Sequence, residues 1–219
     1  MERTWAERLM PHVRHGLGAL ALAAAKRGLR PWLDVGIVVV FEIPFELAKA
    51  ADALPVVRIG AGEAPAVARV FGRSTEDLLA RLARGDRGWA VMSDDRPAHM
   101  RWATTEPTLV PEVALWMCPG PGEVYVYDME TEARVRGKRF SAAGRAVMDA
   151  ELWQAGFRRK LAYVRADNHA MWHALHRAPG PIRILYRLRY LRWSGGVPLV
   201  LGRHGAPLFA EAPPLGPLG

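Results

Sequence analysis

At 219 residues the chain fits one domain of ordinary size and needs no disulfide or metal staple to close its core. Its single cysteine, Cys118, excludes an internal disulfide and fits a reducing, cytoplasmic setting. A net charge of +8 and a pI near 10.2 favour anionic partners. No apolar run approaches the roughly 20 residues that span a bilayer.

Residues 1–30 read as a basic helix with Trp5, Leu9, Val13 and Leu17 near one face. The run GALALAAAK imitates a secretory signal, but Glu2, Glu7 and Pro11 interrupt its head. Packing on the domain, a partner or a membrane surface is the expected use of this helix. The β-branched run Val35–Ile43 reads as a buried strand.

From Pro55 the pattern becomes regular. A strand at Val56–Ile59 leads through Gly60–Gly62 into a helix carrying Val67, Val70 and Phe71. Ser74 or Thr75 caps a second helix through Leu78, Leu79 and Leu82. Gly88–Ser93 and Ala98–Thr104 form an antiparallel hairpin, and a Pro- and Gly-rich connection runs from Glu106 to Gly122. Gly60-x-Gly62-x-x-Pro65 follows a strand, yet Pro65 replaces the third small residue of a dinucleotide-binding turn.

The stretch Val124–Arg145 carries the strongest functional signal. Strict alternation puts Val124, Val126 and Asp128 on one face of a strand and Tyr125, Tyr127 and Met129 on the other. Apolar residues on both faces predict a central strand. A helix from about Arg139 to Gly156 presents Phe140, Ala143, Gly144, Val147, Met148 and Leu152 as an apolar stripe. With the strand Lys160–Ala166 these make a parallel, right-handed crossover. Arg134, Arg136, Lys138 and Arg139 crowd the helix N-terminus, where the macrodipole makes cations unfavourable unless an anion sits among them. A solvated basic loop is the competing reading. Farther on lie a helix from His169 to His176, an alternating basic and apolar strand Ile182–Leu191 expected at a sheet edge, a short strand Val197–Leu201, and a tail from Gly205 predicted to lack order.

Tyr127-Asp128, Thr131, Arg136-Gly137-Lys138, the following helix, Ala155-Gly156-Phe157 and LAYVRADN together resemble the cofactor core of the GNAT acyltransferase superfamily. The resemblance covers about residues 55–201. It implies an α/β fold with a GNAT-like central mixed sheet flanked by helices, here with an added N-terminal helix and strand. The corresponding division is 1–54 as extension, 55–204 as acyltransferase domain and 205–219 as Pro/Gly-rich tail. It also implies an acyl-CoA co-substrate, acetyl-CoA or another, with its pyrophosphate on the loop amides and its pantetheine arm between two splayed strands. Carried over residue by residue, the cofactor-binding set is Met129, Glu130, Thr131, Arg134, Arg136, Gly137, Lys138, Arg139, Phe140, Ser141 and Asn168, with no metal. Arg139 stands where the motif has glycine and Ser141 where it has Gly or Ala.

The implied reaction is direct attack of a primary amine on the thioester, which needs a base for the amine and an acid for the thiolate. Glu130 is the first choice of base and Glu112 the second. The tyrosine often found seven residues after the asparagine is replaced by Leu175. His173 or His176 are the alternatives for the acid, and His169, His173 and His176 share one helical face without the convergence zinc requires. Val113, Trp116 and Met117 suggest an apolar rim for the acceptor, with Glu106 and Glu112 attracting its charge. Two other classes remain: a GNAT domain that binds CoA without turnover, and a basic protein binding nucleic acid or a membrane surface through Arg183–Trp193.

Overall fold

The computed structural model describes residues 33–47, 54–176, 180–194, 196–201 and 208–210. The expected N-terminal helix lies outside them. Eight strands form one mixed sheet: β1 (Leu33–Ile43), β2 (Val56–Ile59), β3 (Arg87–Ser93), β4 (Arg96–Thr104), β7 (Glu123–Thr131), β8 (Arg159–Arg165), β9 (Arg183–Trp193) and β10 (Leu199–Leu201). Their spatial order is β10-β9-β1-β8-β7-β4-β3-β2. A small second sheet contains β5 (Thr108–Val110), β6 (Leu115–Met117) and β11 (Phe209–Ala210). The helices are α1 (Ala64–Phe71), α2 (Thr75–Ala83), α3 (Phe140–Gln154) and α4 (His169–His176).

Local chemistry accounts for the element ends. Helix α1 begins with a proline in its first turn and stops at Gly72, which takes φ +62° at the C-cap. Ser74 Oγ caps α2 by accepting from Asp77 N at 3.3 Å. Asp94 and Asp95 both have positive φ, as a two-residue turn between β3 and β4 requires.

Helices α1 and α2 cover one face of the sheet, where Phe71, Leu78, Met100 and Trp102 pack together. On the opposite face α3 sets Met148 and Leu152 against Val124 and Val126, and α4 sets Leu175 against Val39 and Phe41. Gly144 brings α3 close to the sheet, since a Cβ there would lie 2.9 Å from Val91 Cγ2.

Three expectations change. The segment 1–54 is not wholly an appendage, because β1 pairs with both β8 and β9 and lies inside the sheet. Strand β9 is correspondingly not an edge. Its alternation reflects one wet face, which a central strand also shows when no helix covers it. The tail contributes β11, which pairs with β6 within the connection 106–122, and Leu208 and Phe209 are buried there.

Lys160 and Asp149 form a buried ion pair between β8 and α3, and Asp149 also accepts the Glu46 amide at 2.8 Å. Burial pulls Lys160 down to about 8 despite its carboxylate partner. Asp149→Ala strands the ammonium and is expected to cost about 3–5 kcal/mol in urea unfolding. Asp149→Leu combined with Lys160→Met is expected to recover most of that loss.

Candidate functional site

The site arises where two parallel strands part. β7 and β8 pair through Glu123–Arg159, Val124–Lys160 and Tyr125–Leu161, and no further. Beyond that point β7 stays with β4, and β8 stays with β1. A cavity of about 950 Å³ opens in the gap. Both α3 and α4 begin beyond the carboxyl ends of these strands, where open α/β sheets bind their ligands.

A bulge in β7 decides which side chains enter. Trp102 lies opposite Tyr127 and Met100 opposite Glu130, so β7 carries one extra residue there, and Asp128 has φ +46°. The alternation expected from the sequence therefore breaks. Asp128 joins Tyr125 and Tyr127 on the α1–α2 side, whereas Met129 packs with Val124 and Val126 on the α3 side. Arg73 reaches Asp128 at 2.8 Å and Arg81 reaches it at 2.7 Å. Burial raises the Asp128 carboxyl, but these two guanidinium groups outweigh it and hold the pKa below its ordinary value. Asp128 is thus an anchor for two arginines and a poor base.

Three tyrosines line the gap in a row. Tyr125 stacks on Tyr127 at 5.5 Å and on Tyr163 of β8 at 6.2 Å. Tyr127 donates to Asp86, and Tyr163 donates to Glu112 Oε2 at 3.0 Å. Burial, then the neighbouring Glu112 carboxylate, push Tyr163 above its ordinary value, so it keeps its proton at neutral pH. Glu112 sits in the connection between β5 and β6 and lines the cavity.

On the α3 side β7 continues through the short turn Ala133–Val135 into a loop with Gly137 at φ +84° and Arg139 at φ +63°. The amides of Gly137, Phe140 and Ser141 meet no protein acceptor among the described residues. These amides and the helix macrodipole make an anion-suited end. The loop is braced from below. Arg101 donates to Ser141 O at 3.0 Å, Ser141 Oγ at 3.2 Å and His99 Nε2 at 3.2 Å. An arginine can only donate, so His99 Nε2 is unprotonated and its Nδ1–H faces Thr131 Oγ1 at 2.8 Å.

The structure brings some candidates together and separates others. Met129, Asn168 and Glu112 line the cavity. Glu130 does not; its carboxylate is held by Arg73 at 3.0 Å. Arg134 pairs with Glu132, Arg136 donates to the Thr131 carbonyl at 3.3 Å, and Lys138 is exposed. Phe140 is buried against Val91 and Val135 and therefore offers the site only its backbone. Asn168 accepts from Met171 N at 3.0 Å and so caps α4. His173 is exposed and does not line the cavity, and the His176 side chain lies outside the described residues. Of the proposed apolar rim, Trp116 lines the cavity, but Val113 and Met117 are core residues. Sequence reasoning missed Tyr163, Arg73, Arg81, Arg101 and His99. Only the lone tyrosine within the apolar strand after the crossover was a usable signal.

No family model and no curated protein sequence matches the chain. Among solved structures it is similar to a protein described as a GNAT-family acetyltransferase from Novosphingobium aromaticivorans, with TM-score 0.53 and 18% identity. That match covers 72% of this chain and 64% of the other. A conserved protein of unknown function from Staphylococcus epidermidis aligns with TM-score 0.52 and 8% identity, over 85% of this chain and 78% of its own. The fold is that of the GNAT superfamily, a large mixed sheet flanked by helices.

Two predictions follow from the loop and its brace. Burial pushes His99 well below its ordinary value of 6.5, and Arg101 adds to the shift. Below that pH the unfolded chain binds a proton that the native state refuses. Stability should therefore fall by about 1 kcal/mol between roughly pH 6.5 and 5.5, the slope steepening toward about 1.4 kcal/mol per unit below that. Urea titrations of His99→Asn should lack this slope. Arg139 holds a left-handed conformation that disfavours side chains, so Arg139→Gly should stabilise by about 0.5–1 kcal/mol in thermal unfolding.

Proposed function

We propose that the chain is an acyl-CoA-dependent N-acyltransferase, transferring an acetyl or related acyl group to a primary amine. The observation that carries this reading is the cavity through the parted strands. Val126, Val164 and Met171 line it on one side, and the tyrosine row and Glu112 line it on the other. The loop Arg136–Ser141 lies beyond the end of β7 with left-handed turns and, among the described residues, no protein acceptor for the amides of Gly137, Phe140 and Ser141, which suits a diphosphate. An acyl arm threaded between β7 and β8 would meet an amine entering from the α1–α2 side.

In this reading the amine nitrogen attacks the thioester carbonyl, the C–S bond breaks, and the thiolate leaves with CoA. Glu112 takes the amine proton. It is better suited than Glu130 because its hydrogen-bond partner in the cavity is a neutral phenol, whereas Glu130 is already ion-paired. Tyr163, kept protonated and hydrogen-bonded to Glu112, supplies a proton to the thiolate and recovers one from that carboxylate. Leu175 has no such role, because it is packed in the core between α4 and the sheet.

A second reading, a domain that binds acyl-CoA without turnover, draws on Arg139 in the loop motif and on Leu175. Calorimetry with acetyl-CoA and thiol release across an amine panel separate the two. Glu112→Gln should lower kcat by about 10²–10⁴-fold and Tyr163→Phe by at least about tenfold, with acetyl-CoA affinity unchanged within about twofold. Binding without thiol release from any amine would favour the non-catalytic domain. No acetyl-CoA binding at high micromolar concentration would sink both.

A further inference from the structure

Arg101 is 2% exposed, yet among the described residues no carboxylate oxygen lies within 4.0 Å of its guanidinium. Its hydrogen bonds go to a neutral imidazole and to the carbonyl and hydroxyl of Ser141. The nearest carboxylates are already engaged, Asp149 by Lys160 and Glu46 by Arg145. Three cations thus face two carboxylates along α3, with Arg101 at its first turn. The surplus positive charge lies under the helix end whose macrodipole is itself positive, and two like-signed sources there are unfavourable in isolation. Burial lowers Arg101 only to about 10, so it remains charged at neutral pH.

We infer that Arg101 is a positioning residue for the bound cofactor: its buried charge is completed by the diphosphate of acyl-CoA and reaches it through Ser141. Ser141 Oγ accepts from Arg101, which leaves the hydroxyl hydrogen of this exposed residue to turn outward toward an anion. The Arg101 contact to the Ser141 carbonyl holds the first turn of α3 in the orientation that presents its amides. Neutral His99 belongs to the same device, since only its unprotonated Nε2 can accept from Arg101. This inference rests on the proposed reading of the loop as an acyl-CoA site, and it adds a residue that the loop motif does not contain.

The test measures calorimetric affinity for CoA, inorganic pyrophosphate and pantetheine, with apo melting temperatures, for the full chain and for Arg101→Met, Arg101→Gln and Arg101→Lys. The expected result for Arg101→Met is about tenfold or greater weakening toward CoA and pyrophosphate. Pantetheine, which lacks the diphosphate, should change by less than about twofold, and the apo melting temperature should hold or rise. Arg101→Gln should behave alike and serves if the methionine variant does not fold. Arg101→Lys should restore affinity to within about threefold. CoA binding that survives both neutral variants within about twofold overturns the inference and leaves the acyl-CoA reading standing. So does a lower apo melting temperature with unchanged affinity, the mark of a brace alone. Pyrophosphate binding lost on neutralising Arg101, in a chain that never binds CoA, overturns the acyl-CoA reading and the inference as stated, and assigns Arg101 to a different diphosphate. A wild-type chain that binds neither ligand overturns both.

Discussion

The parting of β7 from β8 is the constraint on which the rest of the site depends. Two parallel strands that stop pairing after three residue pairs leave a row of main-chain donors and acceptors that must be satisfied some other way. Each strand tolerates this because its other edge remains paired, β7 to β4 and β8 to β1. The N-terminal strand is therefore part of the site's foundation. Without β1 at its far edge, β8 would lose the neighbour that holds it away from β7. The bulge at Asp128 works with the same divergence, because a bulged strand bends and twists more than its regular partner.

Charge is distributed unequally across the sheet. On the α1–α2 face, Arg73 and Arg81, the arginines that reach Asp128, are matched by Asp128 and Glu130 of β7 and Asp77 of α2, and carboxylates outnumber arginines in that wall by one. Glu112 faces that wall across the tyrosine row with a phenol as its partner. On the α3 face a cluster of buried Arg101, Lys160 and Asp149 with half-buried Arg145 and Glu46 carries one surplus positive charge beneath a loop rich in cations. An anionic cofactor on the second face and a cationic amine on the first would each meet the field it needs. The gap between the strands is the passage where they would meet.

Much of the scaffold was legible because its signals are local. The β-branched run in β1, the stripe on α3 and the serine before α2 each announce an element within a few residues. The candidate site was legible only in part. The loop motif is contiguous, so its residues were found together. The facing of Asp128 and Met129 was misread because one extra residue in β7 reverses the side chains after it, and nothing in YVYDMET announces the slip. Tyr163 and Glu112 are 51 residues apart, and Arg101 and Ser141 are 40 apart. Neither pairing has a spacing that a motif could encode.

The sequence by itself determined the crossover β7–α3–β8, its parallel sense and the cation-rich loop at its turn. These follow from residue periodicity, chain handedness and helix-end chemistry, all of which act over a turn or two. Only the tertiary structure decided that β1 enters the middle of the sheet, that Asp128 serves as an anchor, and that Glu112 meets a tyrosine. It also decided that an arginine without a carboxylate partner lies beneath the loop. Those outcomes depend on strand register and on distant groups competing for the same buried space, and such long-range pairings leave no local trace in the chain.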